Sequence, residues 1–184
     1  PYRRQRQMCI RDRSAVHDIH ARAASVTATS SLTVAAGNDI NLSSGESSWH
    51  LTENNHQSSS GLLAHRSLTT HDEVWAQNAI GSNFSGDSIV MQAVRDLLVS
   101  GSSVAGTQDV NLVAGRNLTI ATAEESRQEN HLRKEKHSGF SGTGGVGFSV
   151  GSSSLKATDV TTTLSSAAST VGSSQGNLSL SAGN

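Results

Sequence analysis

The chain has one cysteine, one proline and one tyrosine in 184 residues. A single cysteine excludes an intramolecular disulfide framework and a Cys-rich zinc site. Aromatic residues make up 3% and hydrophobic residues 34%, against roughly 45–50% apolar residues, glycine included, in an ordinary globular domain. A compact core of large side chains is therefore excluded. No run approaches the roughly 18 apolar residues of a membrane-spanning helix. The formal net charge of −1 leaves the whole chain without the electrostatic footprint of a nucleic-acid binder.

These totals average two unlike regions. Residues 1–13, PYRRQRQMCIRDR, hold the only proline, tyrosine and cysteine (Pro1, Tyr2, Cys9) and five arginines. Without them the chain has 9 basic and 14 acidic side chains, a net charge of −5. No apolar stretch follows the arginines, which excludes a secretory signal. The string QRQMCIRDR resembles translated sequencing-adapter sequence. The tip 1–13 is therefore expected to be non-native or disordered and is left out of the fold argument. The chain starts without Met and stops in mid-pattern, so an internal fragment of a longer protein is expected.

What the body does contain is a recurring phrase. It reads SLTVAAGNDINLSSG at 31–45, DVNLVAGRNLTIATA at 109–123 and NLSLSAGN at 177–184. Leu32 and Val34 precede Gly37, and Ile40 and Leu42 follow it. Val110 and Leu112 precede Gly115, and Leu118 and Ile120 follow it. Leu178 and Leu180 precede Gly183. Apolar residues two apart predict short, half-buried strands. The phrase Gly37-Asn38, the residues Gly115 and Asn117, and Gly183-Asn184 are expected at corners. Glycine there permits positive φ, and Asn tolerates the left-handed region. Leu97 and Leu118 are equivalent positions 21 residues apart. A coil of that length cannot bury its own apolar stripe, but stacked coils pair strand on strand and enclose a thin core. The expectation is an all-β solenoid with those ten aliphatic residues in its core.

Residues 46–80 and 124–170 break the rhythm. They are polar, rich in Ser, Thr, His and charge, and are expected as polar extra-helical hairpins or flattened coils. Ile80-Gly81-Ser82 is matched to Val171-Gly172-Ser173, and Gly37 to Gly115, which gives a long repeat of roughly 80–90 residues.

The phrases AAGNDINL, VAGRNLTIATAEES, HSGFSGTGGVGFSVGSS and TVGSSQGNLSLSAGN, in that order over 14–184, resemble the haemagglutinin repeats of large two-partner-secreted bacterial exoproteins. The resemblance is to filamentous haemagglutinins and contact-dependent growth inhibition (CdiA-like) effectors. It implies a right-handed parallel β-helix and export through an outer-membrane two-partner secretion transporter. It also implies display at the cell surface, contact with a target or host cell surface, and continuation into neighbouring repeats. No nucleic-acid partner and no cofactor follow from it. The implied role is a non-catalytic stalk and interaction segment of a growth-inhibition effector. The alternative is the adhesive shaft of a haemagglutinin, and a more distant one is a polysaccharide-active β-helix enzyme. The ENN at 53–55 follows Thr52 and is read as coincidence with a pretoxin motif.

Three groups carry candidate chemistry. His50/His56, His65/His71 and His131/His137 are each six apart, one face of a straight strand. They read as solvated hairpin faces, with a metal or pH-sensing patch as the alternative. His71-Asp72-Glu73 among many serines, and the pair Glu124/Glu125, lack the convergence that catalysis needs, so no catalytic and no metal residue is assigned. The glycines of 138–150 leave Phe140, Phe148 and Val150 in an apolar strip. It reads either as a surface strand or as a strip that inserts into, or pairs at, a target membrane surface. Trp49 and Trp75 are expected to pack at the base of the first excursion.

Overall fold

The computed structural model describes residues 11–143 and 147–183, with the backbone alone at 11, 12, 141–143, 147 and 148. Residues 1–10, Asn184 and the side chain of Phe148 thus lie outside the described residues. All regular structure among them is β. The chain divides into two compact units, 1–47 with 78–125 and 165–184, and 48–77 with 126–164.

The first unit is built of short strands visited in a fixed cycle. β1 (Arg11–Ala15), β2 (Ile19–Arg22) and β3 (Ser25–Thr27) each belong to a different sheet, as do β4 (Ser31–Ala36) and β5 (Ile40–Ser43). A long pair follows, β6 (Gly45–Ser60) and β7 (Ala64–Ile80). The cycle resumes with β8 (Asn83–Gly86), β9 (Ser88–Ala93), β10 (Leu97–Ser100), β11 (Ser103–Gly106), β12 (Val110–Ala114) and β13 (Leu118–Ala121). After a second long pair, β14 (Ala123–Thr143) and β15 (Gly147–Ala167), it continues with β16 (Thr170–Ser173) and β17 (Leu178–Ala182). The sheets run β1-β4-β9-β12-β17, β13-β10-β5-β2 and β16-β11-β8-β3, and their pairings are parallel. β1 begins at Arg11, inside the tip set aside on sequence, because RDRSA continues the ladder beside Leu32–Ala36.

Parallel, in-register pairing puts like residues in columns. Leu32, Ile89, Val110 and Leu178 form one, and Val34, Met91, Leu112 and Leu180 another. Ile40, Leu97 and Leu118 stack in the second sheet, with Leu42, Val99 and Ile120 beside them. Val26, Phe84, Val104 and Val171 stack in the third. Leu32, Val34, Ile40, Leu42, Val110 and Leu112 are buried. Leu118 is half-buried, while Ile120, Leu178 and Leu180 are 41–45% exposed; these strands are last in their ladders. Full burial of such side chains contributes about 1.5–3 kcal/mol each.

The corners differ from the sequence expectation in one respect. Gly37, Gly115 and Gly183 do not have positive φ; among the described residues Gly101 (φ 54°) and Ala23 (φ 48°) do. Glycine is needed there for close approach. A Cβ at Gly37 would lie 1.9 Å from the Val16 carbonyl oxygen, and one at Gly115 1.9 Å from that of Val94. The proposed match of Ile80-Gly81-Ser82 with Val171-Gly172-Ser173 is also corrected. Val171 pairs with Val104 and Val104 with Phe84, so Gly172 is level with Ser85. The phrases share spelling, but the core column decides the register.

The second unit is a four-stranded sheet of order β15-β14-β7-β6, whose β7–β14 pairing is antiparallel from Ser126↔Gln77 to Gly139↔Ala64. The parallel architecture expected from the sequence thus describes three sheets and not this one. A chain that leaves a coil and returns to it as a hairpin must run antiparallel.

Candidate interaction surface on the hairpin sheet

The coils carry two side-chain ladders that the sequence reading missed. Ser82 and Ser102 are buried, at 1% and 2% exposure. The single Ser82 hydroxyl proton is shared between the carbonyls of Ser43 (2.9 Å) and Ala21 (3.1 Å), and Oγ accepts the Ala24 N–H (3.1 Å). Ser102 Oγ accepts the Ser82 N–H, and Ser169 Oγ accepts the Ser102 N–H. Ser82 follows β7, and Ser169 follows β15, so a hydroxyl closes the corner at each hairpin's return. The signal was a small residue followed by serine immediately before a strand, at Gly81-Ser82, Gly101-Ser102 and Ala168-Ser169.

The second ladder is carboxylate. Asp18 accepts the Asp39 N–H (3.1 Å), and Asp39 accepts the Asp96 N–H (3.1 Å) and the Arg95 guanidinium (2.7 Å). Asp96 accepts the Asn117 N–H (3.2 Å) and the Arg116 guanidinium. Arg95 holds the Asp39 carboxyl below its ordinary pKa, and Arg116 does the same for Asp96.

On the hairpin sheet, alternation sends side chains to two faces. One face gathers His50, Trp75, Glu73, His71, Asn54, His56 and Thr69. His50 stacks on Trp75, centroids 3.9 Å apart, and its Nε2 lies 2.9 Å from Glu73. His71 Nδ1 lies 2.5 Å from Asn54, and His56 Nδ1 2.9 Å from Thr69. A shallow cleft beside Trp75 is lined by Ser48, His50, Gln77, Ser126 and Gln128.

The opposite face is a charge ladder. His131 bonds Asp72 at 2.7 Å and approaches Glu129 at 3.6 Å. Arg127 bonds Glu129 (2.6 Å), and Glu135 meets Arg66 (2.6 Å), His137 (3.0 Å) and Arg133 (3.4 Å). Asp72 raises the His131 pKa; Arg127 lowers that of Glu129, and His137 that of Glu135.

The three histidine pairs therefore divide. His50/His56 and His71 share a face, and His131 lies on the other with its carboxylates. Among the described residues no three His, Cys, Asp or Glu side chains converge as a metal site. The His71-Asp72-Glu73 string does not assemble a triad, because neighbouring strand residues point oppositely and Asp72 bonds His131. Glu125 accepts the Ala79 N–H (3.1 Å) and the Ser165 hydroxyl (3.2 Å), a structural bridge. Asn54 of the ENN string sits in mid-strand against His71. Trp49 and Trp75, expected at the base of the first excursion, are 42% and 52% exposed. Trp49 lies beneath the Arg127 guanidinium, 5.9 Å from it.

The far end of the sheet is apolar. Leu62 is fully exposed, Leu63 63%, Phe140 50% and Val150 68%. They line one shallow surface with Gly61, Ala64 and Gly139. Phe140 donates its N–H to the Leu63 carbonyl (3.0 Å), which joins the tip of the first hairpin to the second. Of the strip expected at Phe140, Phe148 and Val150, the described side chains Phe140 and Val150 lie with Leu62 and Leu63. A two-leucine turn carries no periodic signal, and only the β7–β14 register brings it beside Phe140.

Comparison with known proteins identifies the repeat. The Hemagglutinin repeat family matches residues 10–72 and 65–184. The chain is similar to the 16S rRNA endonuclease CdiA of Enterobacter cloacae, 41% identical over 154 residues, 82% of this chain and 5% of that protein. It is similar to the tRNA nuclease CdiA of Escherichia coli, 38% identical over 166 residues, 89% of this chain and 5% of that protein. It is also 44% identical over 106 residues to the toxin CdiA of Yersinia pestis, 58% of this chain and 3% of that protein. The chain thus spans about a twentieth of the first two relatives. No solved structure matches it.

Proposed function

The chain belongs to the haemagglutinin-repeat family, and on that premise we propose that it is a non-catalytic stalk and contact segment of a large secreted exoprotein of the growth-inhibition type. The coils form a right-handed parallel β-helix. The exoprotein leaves the cell through an outer-membrane two-partner secretion transporter and stands on the cell surface. The hairpin sheet meets the outer membrane of a target cell, and the nuclease activities in the relatives' names reside in other parts of such chains.

The observation that carries this reading is the tip formed by Leu62, Leu63, Phe140 and Val150. Contiguous apolar surface on an otherwise polar sheet favours contact with an apolar or amphipathic partner. Aspartate at Leu62, Leu63 and Phe140 in the full-length parent tests it. Surface display, followed by antibody labelling, should be unchanged. Adhesion to target cells and growth inhibition should fall at least tenfold. Unchanged adhesion and inhibition would refute the contact role.

A second reading, the adhesive shaft of a haemagglutinin, is favoured by the exposed Trp75–His50 stack flanked by Gln77, Gln128 and two serines. An aromatic face beside amides and hydroxyls suits a sugar ring. Loss of glycan-array binding in Trp75→Ala, with the tip variant still adhesive, would favour the shaft.

A further inference from the structure

The hairpin sheet uses its arginines and its lysines differently. The arginines are paired, Arg66 and Arg133 with Glu135 and Arg127 with Glu129. Lys134, Lys136 and Lys156 are exposed, and among the described residues none of them meets a carboxylate. Lys134 and Lys136 stand on β14, which has β15 on one side and β7 on the other. Their surroundings are therefore set within this unit.

Register and alternation place the lysines on one face. Lys134 is opposite Thr69, Lys136 opposite Ser67, and Ser138 opposite His65. All share the face of Thr69, His71 and Glu73, away from the arginines. Ser152 and Ser154 of β15 line one shallow cleft with Lys136, Ser138, His65 and Ser67. Lys156, two residues beyond Ser154, comes to the same face. His65 and Ser138 also border the apolar surface of Leu62, Leu63, Phe140 and Val150.

The nearest carboxylate that alternation puts on this face is Glu73, which bonds His50. It stands beyond Thr69 on β7 by roughly 13 Å, at about 3.4 Å per residue. That exceeds the Debye length of about 8 Å at physiological ionic strength. The lysine charge is thus left uncompensated beside hydroxyl donors, an arrangement that attracts an external anion. The apolar border selects among anions. A small free anion makes no use of it, whereas an anionic lipid brings a phosphate and an acyl boundary together.

We propose that this face binds the phosphate headgroups of an anionic lipid surface. Lys134, Lys136 and Lys156 hold the phosphates with the serine hydroxyls, while Leu62, Leu63, Phe140 and Val150 enter the boundary beneath the headgroups. The proposal rests on the contact role given above and names the surface that is met.

The test floats the whole chain with vesicles on a density gradient. One set is phosphatidylcholine, and the other is an equal mixture of phosphatidylcholine and phosphatidylglycerol. The mixed vesicles should bind at least tenfold more tightly. Each lysine should contribute about fivefold at low salt, so Lys134→Gln with Lys136→Gln should remove at least tenfold. Lys134→Arg with Lys136→Arg should bind like the parent chain, which shows that the face is folded and that its charge is read. Arg127→Gln, on the opposite face, should change binding less than twofold. Equal binding to both vesicle types would overturn the proposal and leave the apolar contact standing. So would release by inorganic phosphate but not by sodium chloride of the same ionic strength, which would assign the face to a small anion. Binding to neither vesicle would overturn it too, and adhesion of the aspartate tip variant then judges the contact role by itself.

Discussion

The coils and the hairpin sheet are both β-structure, yet they are held by different forces. In the coils, Leu32, Val34, Leu42, Ile89, Met91, Val99, Val104, Val110 and Leu112 are 0% exposed. In the hairpin sheet, Ala76 is the one buried hydrophobic side chain among the described residues. Its strands depend on backbone pairing and on surface pairs such as His131–Asp72 and Glu135–Arg66, each contributing little singly. The coils thus depend on a thin aliphatic core, and the hairpin sheet has polar side chains on both faces.

That contrast can be broken most severely in the core. Leu112→Ala empties a column between Met91 and Leu180 and should cost about 2–5 kcal/mol, measured by urea unfolding. Leu155→Ala, on the exposed β15, should change stability by no more than about 0.5 kcal/mol. Gly115→Ala forces a Cβ against the Val94 carbonyl and should destabilise by about 1–3 kcal/mol, as overpacking does. Ser82→Ala withdraws one acceptor and the one O–H donor shared by two carbonyls from a buried corner. It should cost about 1–3 kcal/mol, with hydrogen exchange accelerated in β3 and β8 first.

The smallest effect is the most diagnostic of the two regions, and it is a pH dependence. His131 has a raised pKa, so its contribution is complete below the ordinary histidine value of about 6.5 and is lost as pH rises through the raised one. Glu129 and Glu135 have lowered values. Their contribution is complete above the ordinary carboxylate value of about 4.3 and is lost as pH falls through the lowered ones. The hairpin sheet should thus be tightest between these limits. The coils, whose Asp39 and Asp96 are lowered, should respond on the acid side only. Amide exchange of β7 and β14, corrected for intrinsic rate, should show both limbs, and His131→Gln should remove the alkaline one.

How much was legible follows from the same contrast. Where burial alternates, as at Leu32/Val34 and Val110/Leu112, the pattern is written in residue type, because a half-buried strand admits aliphatics on one side only. The all-β character and the haemagglutinin repeat were readable for that reason. Register was not readable from spelling: Ile80-Gly81-Ser82 and Val171-Gly172-Ser173 look alike yet sit four residues out of step, since Val171 is level with Phe84. Nor was the meeting of the hairpins, because β7 and β14 present no apolar stripe to announce it. The Ser82–Ser102–Ser169 ladder hid among abundant serines, and Leu62-Leu63 became a surface only through a partner 76 residues away in sequence at Gly139.

Scaffold and contact face can be told apart in one measurement: hydrogen exchange of the whole chain with and without outer-membrane vesicles of target cells. Slowing confined to residues 60–65 and 138–150, with β9 and β12 unchanged, is the expected result. Slowing along the coil strands, with none at the hairpin tips, would contradict it.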